Sequence, residues 1–167
     1  MTRPEEILLD SLTHLMARWS SAGTQAAVAA DAGVQVDPAD LPPIYMLGLE
    51  GPLRAGDLAF ALRISRPTAS KQLNRLTSAG LIEREPDPDD RRASIIRLSA
   101  RGAEVHARLV DQGLVMVSDA LSGWSAEEKS GLAAQLARFV SALNPTDSGR
   151  EPAACPARPA PGPQNGE

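Results

Sequence analysis

The stretch that decides the fold reads RISRPTASKQLNRLTSAGLIER and covers residues 63–84. Apolar residues recur within it at spacings of four and three, at Ala69, Leu73 and Leu76. That spacing is typical of one face of an α-helix. Ser65 precedes the pattern as a candidate N-cap, and Gly80 follows it in the position where helices commonly end in glycine. The stretch therefore predicts a helix over residues 66–79 with one buried face.

The other face of this helix, together with its N-cap, carries side chains that can bind DNA: Ser65, Arg66, Thr68, Ser70, Lys71, Asn74 and Arg75. Arginine and lysine bond phosphates or guanine, asparagine bonds adenine, and serine or threonine bonds either backbone or base. Between Phe60 and Ile82 the chain contains no acidic residue, although its formal net charge is -4. The stretch indicates a local basic patch, and the plain alternative is a charged face that only contacts water.

The segments on both sides of this helix predict a second helix before it and a pair of strands after it. Upstream, residues 53–62 predict a short helix that is separated from it by a tight turn. Downstream, residues 81–84 and 94–98 predict two antiparallel strands whose connection is too long for a two-residue hairpin turn. Arg91 and Arg92 lie in that loop, where they suit a narrow minor groove or, alternatively, neutralise the neighbouring aspartates. Helix, turn, helix and wing together predict a winged helix that binds the major groove of double-stranded DNA.

Apolar periodicity predicts further helices on both sides of this region. The stripe of a first helix covers residues 7–19, and apolar residues 26–29 leave open whether it continues that far. A short helix over residues 41–49 has Asp40 as its candidate N-cap. Beyond the wing, residues 99–117 predict a long helix, and residues 125–143 predict a last one that opens with an S-x-x-E capping box. The wing is thus the only β structure that the sequence predicts.

These elements predict a mostly α chain with a small β-wing (α+β). We expect residues 37–98 to form a winged helix-turn-helix DNA-binding domain, while residues 1–36 and 99–144 form a helical region. Residues 145–167 are rich in proline and poor in apolar residues, so we expect a disordered tail there.

Composition and motifs narrow the function classes. No apolar run approaches the roughly 20 residues that cross a bilayer, and the first residues are acidic, so we expect a cytoplasmic protein with no membrane partner. The only cysteine is Cys155, which argues against a disulfide framework and a Cys/His metal site. Nucleophile motifs, H-E-x-x-H and glycine-rich phosphate loops are absent from the sequence. We therefore expect neither an enzyme nor a cofactor.

The stretch LIEREPDPDDRRASIIRLSARG, residues 81–102, resembles the multiple antibiotic resistance regulators, the MarR family. That family has a wing of the form D-x-R, then alternating apolar residues, then Leu-Thr and a glycine. Asp90, Arg91 and Arg92 match the first part, and the later parts are matched by Ile96, Leu98, Ser99 and Gly102. The resemblance extends over residues 53–102.

The resemblance implies a homodimer whose two recognition helices, residues 66–79, enter the major groove of a pseudo-palindromic operator. It also implies that Arg92 enters the minor groove while Asp90 holds it, and that the first and the last two predicted helices form the dimer interface. Members of the family commonly act as repressors. Small aromatic acids and other ligands often release them from a crevice between the dimer and DNA-binding parts.

Trp19, Tyr45 and His14 are candidates for lining such a small-molecule pocket, because aromatic side chains often line pockets. The alternative for Trp19 and His14 is a position in the core or at an interface. An alternative for the whole chain is a winged helix that binds protein without sequence-specific DNA binding. That alternative predicts apolar or acidic residues on the exposed face of residues 66–75, whereas the face is basic.

Overall fold

The structure is a computed structural model, and it describes residues 3–90 and 93–143 of the chain. Arg91, Arg92 and the expected tail over residues 145–167 lie outside the described residues. The chain divides into two compact units, Met1–Ala120 and Leu121–Glu167, which we describe separately. None of the described helices is long and apolar enough to cross a membrane.

The described part of the first unit contains six α-helices and three short strands. The helices are α1 (Pro4–Trp19), α2 (Ala22–Asp31), α3 (Leu41–Glu50), α4 (Ala55–Ala61), α5 (Arg66–Ser78) and α6 (Ala100–Ala120). The strands are β1 (Leu53–Arg54), β2 (Ile82–Pro86) and β3 (Ser94–Leu98), and they form an antiparallel sheet in the order β1-β3-β2. A 3-10 turn, Pro38–Asp40, precedes α3. The predicted class, mostly α with a small β-wing, is confirmed.

The described part of the second unit is one helix, α7 (Ala126–Leu143). Its capping box forms as predicted: the Glu128 carboxylate accepts from the Ser125 backbone N–H at 2.8 Å, and the Ser125 hydroxyl oxygen accepts from the Glu128 N–H at 3.2 Å. The first of these bonds lowers the pKa of Glu128. Apolar side chains along the helix remain exposed, namely Leu132, Leu136, Val140 and Leu143.

The first helix does not continue through residues 26–29, because the chain breaks after Trp19 into α1 and α2. The Ser20 hydroxyl donates back to the Met16 carbonyl at 2.6 Å, and the Ser21 hydroxyl oxygen accepts from the Thr24 N–H at 3.1 Å as the N-cap of α2. Serine side chains compete with helical backbone bonds in this way, which a count of apolar spacing does not register.

Two further predictions near α3 and α4 need correction. Asp40 precedes α3 but makes no side-chain capping bond. Asp37 caps the 3-10 turn instead, where its Oδ1 accepts from the Ala39 N–H at 2.9 Å. Leu53 does not begin a helix, since it pairs with Ile96 as part of β1, and α4 begins only at residue 55. The wing therefore has three strands rather than the two predicted.

The core of the first unit lies beneath α5. Ala69, Leu73 and Leu76 are buried as predicted, so the inward stripe of this helix is confirmed. Leu73 and Leu76 pack in one cluster with buried side chains from the neighbouring elements, among them Leu41, Ile44, Leu58, Ile96, Val105 and Leu109. The opposite face of α5 is left to solvent, which positions its polar side chains for contact with a partner.

A tight junction joins the end of α5, the wing and α6. Gly80 adopts a left-handed φ of 68° just after α5, a conformation that glycine accepts without steric cost. The Ser99 hydroxyl donates to the Gly80 carbonyl at 2.6 Å and accepts from the Gly102 N–H at 3.0 Å, just before α6 begins. A side chain on Gly102 would collide with the carbonyl oxygen of Leu81. The glycine thus lets α6 approach the root of the wing.

We expect Gly102→Ala to lower the free energy of unfolding by about 1–3 kcal/mol, the usual cost of overpacking. The matched control is Gly113→Ala in the same helix, where an added Cβ meets nothing within 4 Å. Alanine there should raise stability by up to about 1 kcal/mol because it favours helix. Urea denaturation of both variants measures these changes. Equal stability of the two variants would contradict the packing at Gly102.

Candidate nucleic-acid interface

The N-terminal end of α5 is built to face an anion. The Ser65 hydroxyl oxygen accepts from the Thr68 N–H at 3.2 Å, and the two hydroxyl oxygens lie 2.8 Å apart. Ser65 is thus the N-cap, as the sequence predicts. Arg66, Thr68 and Ser70 are exposed on the first turns. The positive end of the helix dipole and the Arg66 guanidinium both favour a phosphate at this position.

The exposed face of α5 carries every side chain that the sequence assigns to it: Arg66, Thr68, Ser70, Lys71, Asn74 and Arg75. Gln72, by contrast, is buried, and its Nε2 donates to the Ala39 carbonyl at 2.5 Å. This contact ties α5 to the 3-10 turn. The sequence gives no sign of it, because the two residues are 33 positions apart.

Arg75 forms a bidentate ion pair with Asp40. Its Nε donates to one carboxylate oxygen at 2.7 Å and its Nη2 to the other. Asp40 is only 4% exposed, so the carboxylate of this pair is buried. The hydrogen bond to Asp40 raises the pKa of the Arg75 guanidinium. Arg75 therefore orients α5 on the turn before α3, a role that the sequence prediction missed.

Asn74 is held by the wing. The Arg84 guanidinium on β2 donates to the Asn74 Oδ1 at 2.8 Å. Because arginine is a donor only, this contact fixes which end of the asparagine amide faces the wing. The oxygen of the Asn74 amide consequently faces β2.

Asp87 anchors the root of the wing. It is 2% exposed, and its carboxylate accepts from the Arg54 Nε at 2.5 Å. Its Oδ1 also accepts from the backbone N–H groups of Asp89 and Asp90, at 2.8 and 3.2 Å. The bond from Asp89 lowers the pKa of Asp87 despite the opposing effect of burial, and Arg54 lowers it further. Asp87 thus binds the backbone of the acid-rich loop, and Arg54 holds Asp87 in place.

A groove of about 410 Å³ separates α5 from the wing. Arg66 and Ser70 line it on the helix side, and Arg84 and Asp90 line it on the wing side. The structure therefore brings Asp90 close to the predicted recognition helix. The predicted roles of Arg91 and Arg92 fall outside the described residues.

A second cavity, of about 830 Å³, lies beside α1 and α3. Trp19 and Tyr45 both line it, as the sequence reasoning expected of pocket residues, and so do Asp37 and Ala39 of the turn that holds α5. His14 is not among its lining residues. The His14 side chain is 75% exposed and lies 3.5 Å from Asp10.

The MarR family pattern matches residues 35–93. The HTH-type transcriptional regulator PecS of Dickeya dadantii (strain 3937) is 38% identical over 78 residues, which are 47% of each chain. The uncharacterized HTH-type transcriptional regulator YybA of Bacillus subtilis (strain 168) is 30% identical over 81 residues, 48% of this chain and 54% of that protein. The chain spans about half the length of these curated relatives.

Solved structures share the fold over a longer part of the chain. A MarR family protein from Bacillus stearothermophilus has a TM-score of 0.71 at 18% identity, covering 86% of this chain and 99% of that one. Apo MarR from E. coli has a TM-score of 0.64 at 18% identity, covering 83% and 98%. NadR in complex with 4-hydroxyphenylacetate has a TM-score of 0.56 at 22% identity, covering 83% and 93%. Residues 35–93 of the chain thus match the MarR family pattern, and the chain shares the fold of these solved structures.

Proposed function

We propose that this chain is a sequence-specific, DNA-binding transcriptional regulator, acting as a cytoplasmic homodimeric repressor whose DNA affinity a small molecule modulates. The observation that carries the proposal is the exposed face of α5, which is free of acidic residues and lies beside an anchored wing. Its cations and hydrogen-bond donors suit phosphates and base edges. The curated relatives PecS and YybA are HTH-type transcriptional regulators, which supports the same class of function.

The protein-binding alternative has less support. A winged helix that binds protein needs apolar or acidic side chains on the exposed face of α5, and this face is basic. Enzymatic activity has no supporting observation either, since the relatives that the chain resembles are regulators. We therefore propose DNA as the partner of the α5 face, with Arg91 and Arg92 of the wing as candidates for the minor groove.

The second cavity supports modulation by a small molecule. Asp37, Pro38 and Ala39 line it, and the Ala39 carbonyl accepts the bond from Gln72 of α5. The next residue of the turn, Asp40, binds Arg75. A ligand that displaces this turn would therefore shift α5, because the hydrogen bonds of Gln72 and Arg75 are both made to that turn. A ligand can change DNA affinity only through such a difference between the two states.

Exposed apolar side chains support dimerisation, each considered within its own unit. On α1, Ile7, Leu8, Leu15 and Met16 are between 44% and 64% exposed. On α7, four apolar side chains form a stripe that includes Leu136 at 44% exposure. Apolar surface of this extent is typical of an interface that a partner covers. We propose that residues 1–36 and 99–144 supply that interface and that residues 37–98 bind DNA.

Lys71→Ala should weaken DNA binding at every sequence and make the log–log salt dependence shallower by about 0.9 for each chain bound, the value for one lost phosphate contact. Fluorescence anisotropy of the full chain against its own upstream duplex and a scrambled duplex measures both quantities. Arg108→Ala removes the same charge from α6, where Arg108 donates to the Gly33 carbonyl, and should leave the slope unchanged. An unchanged slope for the Lys71 variant would exclude this face as the DNA contact.

Arg84→Ala should change base preference rather than general affinity. Arg84 turns the Asn74 Oδ1 toward the wing and takes one of its two acceptor positions, whereas a bidentate adenine pair needs the oxygen and the nitrogen to face one base edge together. Removing Arg84 frees that oxygen and should favour adenine at the contacted position by about tenfold, within the range of one good base contact. Sequencing of duplexes selected from a randomised pool provides the measurement. Arg97→Ala, on β3, is the control, and an identical selected sequence for all three proteins would refute the role of Arg84.

Leu136→Glu should raise the dissociation constant of the dimer by at least about thirtyfold, since it places a charge at a proposed interface hot spot. Ala134→Glu adds the same charge on the opposite side of α7 and serves as the control. Sedimentation equilibrium should give twice the 17.6 kDa chain mass for the native protein and the control. A native protein that sediments as a monomer at all concentrations would contradict the proposed dimer.

A further inference from the structure

We infer that the cavity beside Trp19 and Tyr45 takes an aromatic or lipophilic cation in preference to an anion. The inference rests on the proposed function, because it names the chemical class of the effector that the regulator would bind. It departs from the aromatic acids that the family resemblance suggests. The charges and the side-chain types around this cavity support the inference.

Among the described residues that line the cavity, Asp37 is the only one charged at neutral pH. Lysine, arginine and histidine are all missing from this described lining. A carboxylate ligand would therefore meet the like charge of Asp37 and gain no positive partner from this lining. An ammonium group would instead find an aspartate.

Arg75 is the cation that could weaken this argument. It is not among the cavity-lining residues, and its guanidinium already forms the bidentate pair with Asp40. Asp37 also acts on Arg75, but more weakly than Asp40 does. Arg75 thus faces a surplus of negative charge from two aspartates, and that surplus favours a cationic ligand next to Asp37.

The carboxylate of Asp37 retains capacity for a ligand. Its Oδ1 accepts from the Ala39 N–H at 2.9 Å, which fixes the side chain at the start of the turn. A carboxylate offers about four acceptor positions on two oxygens, so one capping bond leaves others for an ammonium group. The cap also makes the position of this charge independent of any ligand.

The remaining walls suit a flat or lipophilic body. Trp19 is 42% exposed and Leu49 is 72% exposed, and Tyr45 and Met46 line the same cavity. A ligand would remove this apolar surface from water, and the flexible Met46 side chain adapts to different shapes. The faces of the two aromatic rings also attract cations. The walls and the single carboxylate therefore select the same ligand class.

The test uses the full chain and three probes that share one ring system: naphthylmethylammonium, naphthylmethanol and naphthoate. Isothermal titration calorimetry at neutral pH and constant ionic strength should show the ammonium binding at least about tenfold tighter than naphthoate, as expected of one charge contact near a protein surface. Naphthylmethanol should lie between them. Naphthoate binding as tightly as the ammonium, or binding of none of the probes, would overturn the inference.

Asp37→Asn is the informative variant because asparagine keeps the capping oxygen and removes only the charge. It should bind the ammonium no better than the alcohol. Asp31→Asn makes the same change of net charge at the exposed end of α2 and should behave as the native protein does. An ammonium preference that survives in the Asp37 variant would refute the assignment to this cavity.

DNA anisotropy without any probe separates the two proposals. The ligand preference is measured on the protein alone, so it holds or fails independently of DNA. Loss of specific DNA binding with the probe series intact would overturn the proposed regulator and leave the cation preference standing. Specific DNA binding with a preference for naphthoate would do the reverse.

Discussion

The buried carboxylate of Asp40 is the constraint on which the position of α5 depends. A charge that is 4% exposed must be paired, and Arg75 provides that pairing through two hydrogen bonds. Replacement of either partner would leave the other without compensation, so the pair specifies one orientation of α5 on the turn. Gln72 adds a neutral contact to the same turn. The orientation of α5 is therefore determined by polar contacts as well as by the apolar core beneath it.

A second buried ion pair lies at the root of the wing. Asp87 is buried, and Arg54 of β1 pairs with it across 33 positions of sequence. The short strand β1 therefore does more than extend the sheet, since it delivers the cation that holds the loop. On the outer side of the hairpin, Arg97 bridges Glu83 and Glu85 at 2.7 and 2.9 Å. Exposed pairs of this kind contribute little stability, so the buried one at the root is the stronger constraint.

The features that the sequence predicted depend on residues close together in the chain, whereas those it missed depend on residues far apart. The cap at Ser65, the glycine at position 80 and the two faces of α5 were predictable because they depend on residues within a few positions. The pair between Asp40 and Arg75 and the strand β1 were not, because each joins segments far apart in the chain. Asp40 shows the difference clearly. Its local context suggested an N-cap, and a long-range partner took the carboxylate instead.

These pairs change how the basic character of α5 bears on DNA binding. The sequence counts four cations between Phe60 and Ile82, and one of them, Arg75, has its charge largely balanced by Asp40. Arg66 and Lys71 make no ion pair within the described part of the chain, and both lie toward the N-terminal half of the helix, where the dipole is positive. Phosphate attraction is therefore concentrated at that end. In the proposed complex with DNA, the Asn74 end, which Arg84 orients, discriminates bases, so affinity and specificity come from opposite ends of one helix.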